Sequence, residues 1–326
     1  MRDGFGRRIE YLRVSVTDKC NLRCVYCMPE EGLPWLGRSQ ILSYEEIEAV
    51  VRQMAAMGLR RIRITGGEPL VRRDVTSLVR RLANVPGIED LSLSTNAVLL
   101  APLADALRTA GITRINVSLD SLRPERIDAI ARRPGSHEGI LAGLEAAERV
   151  GFDPIKINAV IMRGRNDDEL EDFARVTIDR PWHVRFIEVM PVSENLDVSS
   201  REFVAASEML RTVRAIGSLE PVAGPAGNGP ATYFQFKGAR GTVGVITPMS
   251  HNYCDRCNRM RLTADGRLRP CLFGSIETDL REPLRAGEPL APHIERTLAI
   301  KPERHHLVQG SDTGSGGLLA LSQIGG

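Results

Sequence analysis

The stretch Tyr11–Pro29, YLRVSVTDKCNLRCVYCMP, decides how the rest of the chain is read. Leu12 to Val16 reads as a β-strand that runs straight into Cys20, Cys24 and Cys27, spaced C-x3-C-x2-C, with Tyr26 just before the last thiol. Three closely spaced thiolates can hold three irons of a [4Fe-4S] cube and leave the fourth iron open to another ligand. A zinc knuckle is the rival reading, but zinc wants a fourth ligand and no histidine lies nearby.

Outward from this loop the chain alternates strand and helix. Strands are expected at residues 12–16, 61–65, 90–94, 114–119, 155–161 and 183–189. Helices are expected near residues 44–57, 74–83, 102–110, 136–150, 167–178 and 201–215. Ser43 and Glu46 make a capping box for the first helix, and Gly58 ends it. Such alternation predicts a parallel sheet, and six units with right-handed crossovers can curl into an open barrel.

Parallel strands covered by helices are usually apolar on both faces. Here one face is repeatedly polar at period two. Arg13 goes with Ser15, and Arg61 and Arg63 with Thr65; Ser92 goes with Ser94, and Arg114 with Asn116, Ser118 and Asp120. Lys156 goes with Asn158, and Glu188 with Met190. This implies a hydrophilic lumen, with the active site at the C-terminal ends of the strands, where the cysteine loop leaves the first strand. The second strand ends in Thr65-Gly66-Gly67-Glu68-Pro69, where two glycines admit a close ligand and Glu68 could bind an ammonium group. For Gly-Gly alone, a plain βα turn is the favoured reading. Ser94-Thr95-Asn96 and Ser118-Leu119-Asp120 also fall at strand ends, as ligand contacts or as caps and turns.

Composition narrows the partners. The 326 residues are 42% hydrophobic and 26% charged, enough to bury a full core. A formal charge of +2 gives no electrostatic case for nucleic acid or membrane. No apolar run is long enough to span a bilayer, and the opening MRDGFGRRIE lacks a signal-peptide core. A cytoplasmic setting is expected, where clustered thiols stay reduced and bind metal.

Residues 217–230, rich in Gly and Pro, read as a linker or long loop, and short strands are expected at 233–236 and 241–246. Then comes SHNYCDRCNRMRLTADGRLRPCLF, residues 250–273, which holds the remaining thiols Cys254, Cys257 and Cys271. On spacing alone zinc is slightly favoured here, with His251 available; beside the first triad, a second iron-sulfur cluster is the better reading. Arg259, Met260 and Arg261 follow directly, and two guanidiniums beside an open iron suit an anionic ligand, although a solvated surface pair looks the same in sequence.

The first triad and GGEP resemble the radical S-adenosylmethionine (SAM) superfamily. Adding HNYCDRCNRMRLTADG and the terminal Gly325-Gly326, the chain resembles the GTP 3′,8-cyclase family of molybdenum-cofactor biosynthesis over nearly its whole length. The resemblance implies an α/β fold, an incomplete (βα)6 TIM-like barrel with a C-terminal α+β domain closing the lumen, divided into residues 1–216 and 217–326. It implies two [4Fe-4S] clusters, one on Cys20, Cys24 and Cys27 that binds SAM, and one on Cys254, Cys257 and Cys271. SAM contacts would come from Tyr26, Gly67, Glu68, Ser118 and Met190; GTP contacts from Arg13, Arg63, Ser94, Lys156, Arg259, Met260 and Arg261. Arg13, Gly325 and Gly326 would act in catalysis. Ser94 stands where the family often has Thr, and keeps a hydroxyl. A 5′-deoxyadenosyl radical would take the ribose 3′ hydrogen of GTP, and C3′ would add to C8. Implied partners are the downstream cyclic pyranopterin monophosphate synthase and a reductant such as flavodoxin or ferredoxin, with a homodimer allowed. The rivals are another two-cluster radical SAM enzyme, such as a peptide maturase, and a zinc-binding interaction protein without catalysis.

Overall fold

The computed structural model describes residues 1–190, 200–227, 229–305 and 320–325. Its centre is six strands: β1 (Tyr11–Ser15), β2 (Arg61–Thr65), β3 (Asp90–Thr95), β4 (Arg114–Ser118), β5 (Ile155–Ile161) and β6 (Trp182–Glu188). Between them run α1 (Tyr44–Ala56), α2 (Val75–Ala83), α3 (Ala104–Ala110), α4 (Pro124–Ala131), α5 (Ser136–Arg149) and α6 (Leu170–Asp179), with α7 (Ala206–Arg214) after β6. The remainder forms β7 (Leu219–Val222), β8 (Thr232–Phe236), β9 (Thr242–Ile246), β10 (Arg259–Leu262), β11 (Arg267–Arg269) and β12 (Thr278–Asp279), then α8 (Arg281–Arg285), α9 (Ala291–Ala299) and α10 (Leu321–Ile324).

All the strands among the described residues join one sheet, in the order β12-β11-β10-β1-β2-β3-β4-β5-β6-β9-β8-β7. The pairs β1–β2 through β5–β6 are all parallel. β10 adds in parallel beside β1, and β9 in parallel beside β6. Antiparallel pairs finish both edges, and β12 and β7 do not meet, so the barrel is incomplete.

The alternation of side chains explains the layering. Leu12, Val14, Ile62, Ile64, Leu93, Ile115, Val117, Ile157 and Ala159 face the helices, where Val50, Met54, Leu78, Leu82 and Leu107 close an apolar core. The capping box at α1 is formed: the Glu46 N–H donates to Ser43 Oγ at 3.1 Å and the Ser43 N–H to Glu46 Oε2 at 2.7 Å.

Three expectations are corrected. First, β6 has the opposite phase. Trp182, Val184 and Phe186 pack in the core, so His183 and Arg185 share the lumen phase and Glu188 does not. Both phases of this strand carry polar residues, and reading from Glu188 shifts it by one residue, which exchanges the faces. Glu188 is fully buried as a fastener, accepting the N–H groups of Ala206, Met249 and Ser250, each at 3.0 Å. Second, residues 217–230 are not all loop. β7 pairs antiparallel with β8, and Pro221 is tolerated because β7 is an edge strand. Third, the helix expected at 201–215 narrows to Ala206–Arg214 after a short 3-10 turn, Ser200–Glu202. α4, β10, β11 and β12 were not anticipated.

Candidate active site

The first thiol triad occupies the loop after β1. The Cys27 N–H donates to Cys24 O at 2.8 Å and the Leu22 N–H to Cys20 Sγ at 3.4 Å. Burial pushes Cys20 up to about 11 and Cys27 to about 12, and Cys24 rises as well, with the neighbouring thiols adding to the shift at Cys24 and Cys27. Three half-buried thiols that resist ionisation beside one another need a strong positive charge among them, which iron supplies. Among the described residues no three His, Cys, Asp or Glu gather around a single-ion position. Thiols spread around a multi-iron cube meet no such requirement.

The loop after β2 is laid against this triad by backbone contact. A Cβ on Gly66 would lie 2.6 Å from Thr17 O, and one on Gly67 only 2.4 Å from Lys19 O. The Gly67 N–H donates to Thr17 O at 2.7 Å and the Glu68 N–H to Lys19 O at 2.8 Å. Only glycine allows this approach. Glu68 is buried and its carboxylate accepts from the Leu70 N–H at 3.0 Å, Thr95 Oγ1 at 2.8 Å and the Asn96 N–H at 2.7 Å. Burial nonetheless raises it to about 7. Glu68 therefore ties the loop to the end of β3. Tyr26 donates its hydroxyl to Asp120 Oδ2 at 2.7 Å, and Asp120 also accepts the Val160 N–H at 2.8 Å. Ser118 stands in register with Asn158, and Met190 is half-buried just past β6.

Across the lumen the register builds a band of cations. Arg261 pairs with Arg13, Arg13 with Arg63, and Arg63 with Ser92, which pairs with Arg114. Asn116 leads to Lys156 and Lys156 to His183, while Asn158 leads to Arg185. Arg63 lies over the Tyr11 ring, 5.6 Å from its centroid, and Arg259 over Tyr253 at 4.9 Å. Ser94 Oγ accepts from Asn116 Nδ2 at 3.3 Å. Burial, with the other cations, brings Arg63 and Arg261 down to about 10 and also lowers Arg13 well below its ordinary value. The same causes bring Lys156 to about 6 and His183 to about 4. Asp90, paired with Arg114, is a carboxylate that offsets part of this charge, and Asp153 acts the same way on His183. Arg185 Nε and Arg114 Nη1 are buried donors without a hydrogen-bond partner among the described residues. A desolvated band of cations with spare donors is built to receive a polyanion.

Residues 225–227 lie on this band. Lys156 donates to Pro225 O at 3.4 Å and to Ala226 O. A Cβ on Gly227, whose φ is +125°, would lie 2.7 Å from Arg114 Nη1 and 3.0 Å from Lys156 Nζ. A cavity of about 300 Å³ opens beside it, lined by Gly227, Tyr253, Asn258 and Arg259 among others.

The second triad sits at the opposite end of the barrel. Cys254 starts a short 3-10 turn, and Cys257 comes two residues before β10. β10 runs parallel to β1, which leads away to Cys20. The two triads are therefore separated by about the length of β1, roughly 16 Å at ~3.3 Å per residue. Burial pushes the Cys257 thiol up, but Arg259 and then Lys301 pull it down to about 7. That donor set, three thiols with adjacent cations, fits an iron-sulfur cluster. The chain's end also enters the site. Arg261 Nη1 donates to Gly325 O, and a Cβ on Gly325 would come 3.0 Å from Thr65 Cγ2 and 3.2 Å from Ser15 Cβ. The Ser322 backbone N–H lies beside the Cys27 thiol and partly offsets the upward push of burial. Gly326 lies outside the described residues.

The structure thus brings Arg13, Arg63, Ser94, Lys156, Arg259, Arg261 and Gly325 to one lumen. Met260 is the exception: strand alternation packs its side chain in the core with Leu12 and Leu262, leaving only its backbone toward a ligand. Sequence reasoning missed Arg185, His183, Tyr253 and Lys301, and left Arg114 among inward residues without a role. For Arg185 and His183 the usable signal was the core phase of Trp182, Val184 and Phe186.

Comparison with known proteins places these features in a class. The Radical SAM superfamily profile matches residues 14–177, about half the chain, and the fold and first triad are those of a radical SAM enzyme. A second profile, Molybdenum Cofactor Synthesis C, matches residues 182–307. The GTP 3′,8-cyclase of Pelotomaculum thermopropionicum is 49% identical, and that of Moorella thermoacetica 48%, each over 100% of both chains. The chain belongs to the GTP 3′,8-cyclase family. Among solved structures, Streptococcus suis SuiB bound to S-adenosylmethionine shares the fold, with a TM-score of 0.61 at 16% identity over 84% of this chain and 64% of that one. No helix of the described residues is long and apolar enough to cross a membrane.

Proposed function

We propose that the chain binds GTP in the lumen and converts it to (8S)-3′,8-cyclo-7,8-dihydroguanosine 5′-triphosphate, the first step of molybdopterin biosynthesis. The observation that carries this reading is the buried cation band lying between two thiol triads at opposite ends of neighbouring strands. Cys20, Cys24 and Cys27 would hold the SAM-binding [4Fe-4S] cluster, and Cys254, Cys257 and Cys271 a second cluster. With SAM and a reductant present, the first cluster would supply a 5′-deoxyadenosyl radical able to take the ribose 3′ hydrogen; C3′ would then add to C8, and one electron from the reductant with one proton would complete the dihydro product.

The protein's share is binding, orientation and exclusion of water. Tyr26, Gly67, Glu68, Ser118 and Met190 are assigned to SAM. Gly67 supplies backbone close to the triad, and Glu68 keeps that loop rigid. Arg13, Arg63, Lys156, Arg259 and Arg261, joined by Arg114 and Arg185, would offset triphosphate charge in a site where water does not screen it. Ser94 and the Met260 backbone complete the GTP contacts. Arg13 sits where β1 and β10 meet, and Gly325 and Gly326 would bring the tail to the reacting sugar. The division into residues 1–216 and 217–326 assigns one cluster to each part. A cytoplasmic setting, a flavodoxin- or ferredoxin-like reductant, a downstream cyclic pyranopterin monophosphate synthase and a homodimer complete the reading.

Anaerobic incubation with SAM, GTP and a reductant tests it. GTP-dependent 5′-deoxyadenosine and the cyclised nucleotide are expected. Colourless protein with two zincs, or deoxyadenosine formed equally without GTP, would defeat it.

A further inference from the structure

The second thiol triad is wrapped by residues 301–305, directly after α9, which the proposed function leaves without a role. Lys301 is buried, at 3% exposure. Its ammonium donates to Cys257 Sγ at 3.6 Å, to Arg259 O at 3.0 Å and to Pro270 O, the residue before Cys271. The His305 N–H donates to the Cys254 sulfur. Arg7 stitches the same segment to the triad, donating to Pro302 O and Cys254 O, both at 2.7 Å. One short segment therefore reaches the chain at or beside all three cysteines.

Among the described residues Lys301 has no carboxylate partner. A buried ammonium without a counter-charge is strongly unfavourable, and carbonyls satisfy its protons without neutralising it. The anion within reach is the thiolate of Cys257. Arg259 and Arg261 are cationic too, but they share the lumen, where an anionic substrate competes for them. The three contacts of Lys301 all go to the chain that carries the triad. N–H···S bonds and nearby positive charge stabilise the more reduced, more negative state of an iron-sulfur cluster and so raise its potential.

We propose that Lys301 is a positioning residue for the second cluster, orienting Cys257 and compensating the charge of the thiolate-bound iron, and so setting the cluster's reduction potential. This rests on the two-cluster reading, and the test separates the two. The full-length chain carrying Cys20→Ser, Cys24→Ser and Cys27→Ser is loaded anaerobically with iron and sulfide, so that any cluster belongs to the second triad. A parent without iron removes the two-cluster reading, and this proposal with it, before any Lys301 variant is made. In a loaded parent, Lys301→Met keeps the iron but shifts the midpoint of an EPR-monitored redox titration to more negative potential, and Lys301→Arg restores most of the shift. An unchanged midpoint in Lys301→Met at equal iron content overturns the proposal. If Lys301→Met loses iron, retention by Lys301→Arg supports charge compensation. Loss by both, with helicity intact, overturns it in favour of plain packing.

Discussion

Lys156 offers the sharpest test of the lumen as a triphosphate site. Its ammonium is buried beside Arg185, Arg114 and Arg63, with Asp90 opposing them in part, and this brings it to about 6. At pH 7.5 only about one molecule in thirty of the free protein carries that proton. A triphosphate placed against Lys156 restores the ammonium, so binding takes up roughly one proton per nucleotide. Protonation from about 6 at pH 7.5 costs about 2 kcal/mol, and each further pH unit weakens binding about tenfold. The assay is calorimetric titration of GTP in buffers of different ionisation enthalpy, comparing the native chain with Lys156→Met. The variant should take up about one proton fewer, which separates Lys156 from the nucleotide's own titration. Identical buffer dependence in the two proteins would refute the reasoning. The free protein gives a second reading. A lysine whose folded pKa is depressed destabilises the fold fully below about 6, and the penalty fades as pH rises toward 10.5. Stability of the nucleotide-free chain should rise across that window, and Lys156→Met should remove the slope and stabilise the chain at pH 7 by a few kcal/mol at most.

Three further outcomes follow from named contacts. Gly67→Ala places a methyl 2.4 Å from Lys19 O, a backbone atom that cannot swing away, at a cost of about 1–3 kcal/mol; SAM affinity should fall at least about tenfold, and unchanged SAM binding would separate this loop from the site. Glu188→Ala leaves the Ala206, Met249 and Ser250 N–H groups without their acceptor and should cost about 2–5 kcal/mol in a denaturant titration. GTP affinity should stay near native, whereas a large loss would return Glu188 to the lumen. Deleting Gly325 and Gly326 should abolish cyclised product while both clusters still load, and full turnover by the truncated chain would remove the tail from catalysis.

What could be read in advance depended on whether a local pattern carried the information. The six βα units and the inward phase of β1 to β5 follow from period-two polarity, because apolar residues such as Ile62 and Ile64 leave only one face for Arg61 and Arg63. β6 defeated the same rule. His183 and Arg185 occupy one phase and Glu188 the other, so polarity alone does not choose, and the bulk of Trp182 and Phe186 decides. The Gly- and Pro-rich run near residue 225 reads as connector by composition. Its carbonyls meet Lys156 because β7 and β8 carry it back over the barrel, a route set by pairing at the sheet edge.

The cation band is the clearest case of function created by long-range pairing. Arg13 alone is an ordinary strand residue and Arg261 an ordinary residue after a thiol pair; parallel pairing of β1 with β10 sets them side by side with like charge, Arg13 half-buried and Arg261 buried. Such an arrangement opposes folding in the free protein, since burial and mutual repulsion both favour losing protons. A ligand that brings negative charge into the lumen relieves that repulsion. Lys301 obeys the same logic. In KPERH it resembles any solvent-facing charge, and only the return of α9 to the thiol triad reveals that its counter-charge is sulfur. Partner ions at these sites are therefore identified by asking which buried cations the fold leaves unneutralised, a question that strand register answers and residue type alone does not.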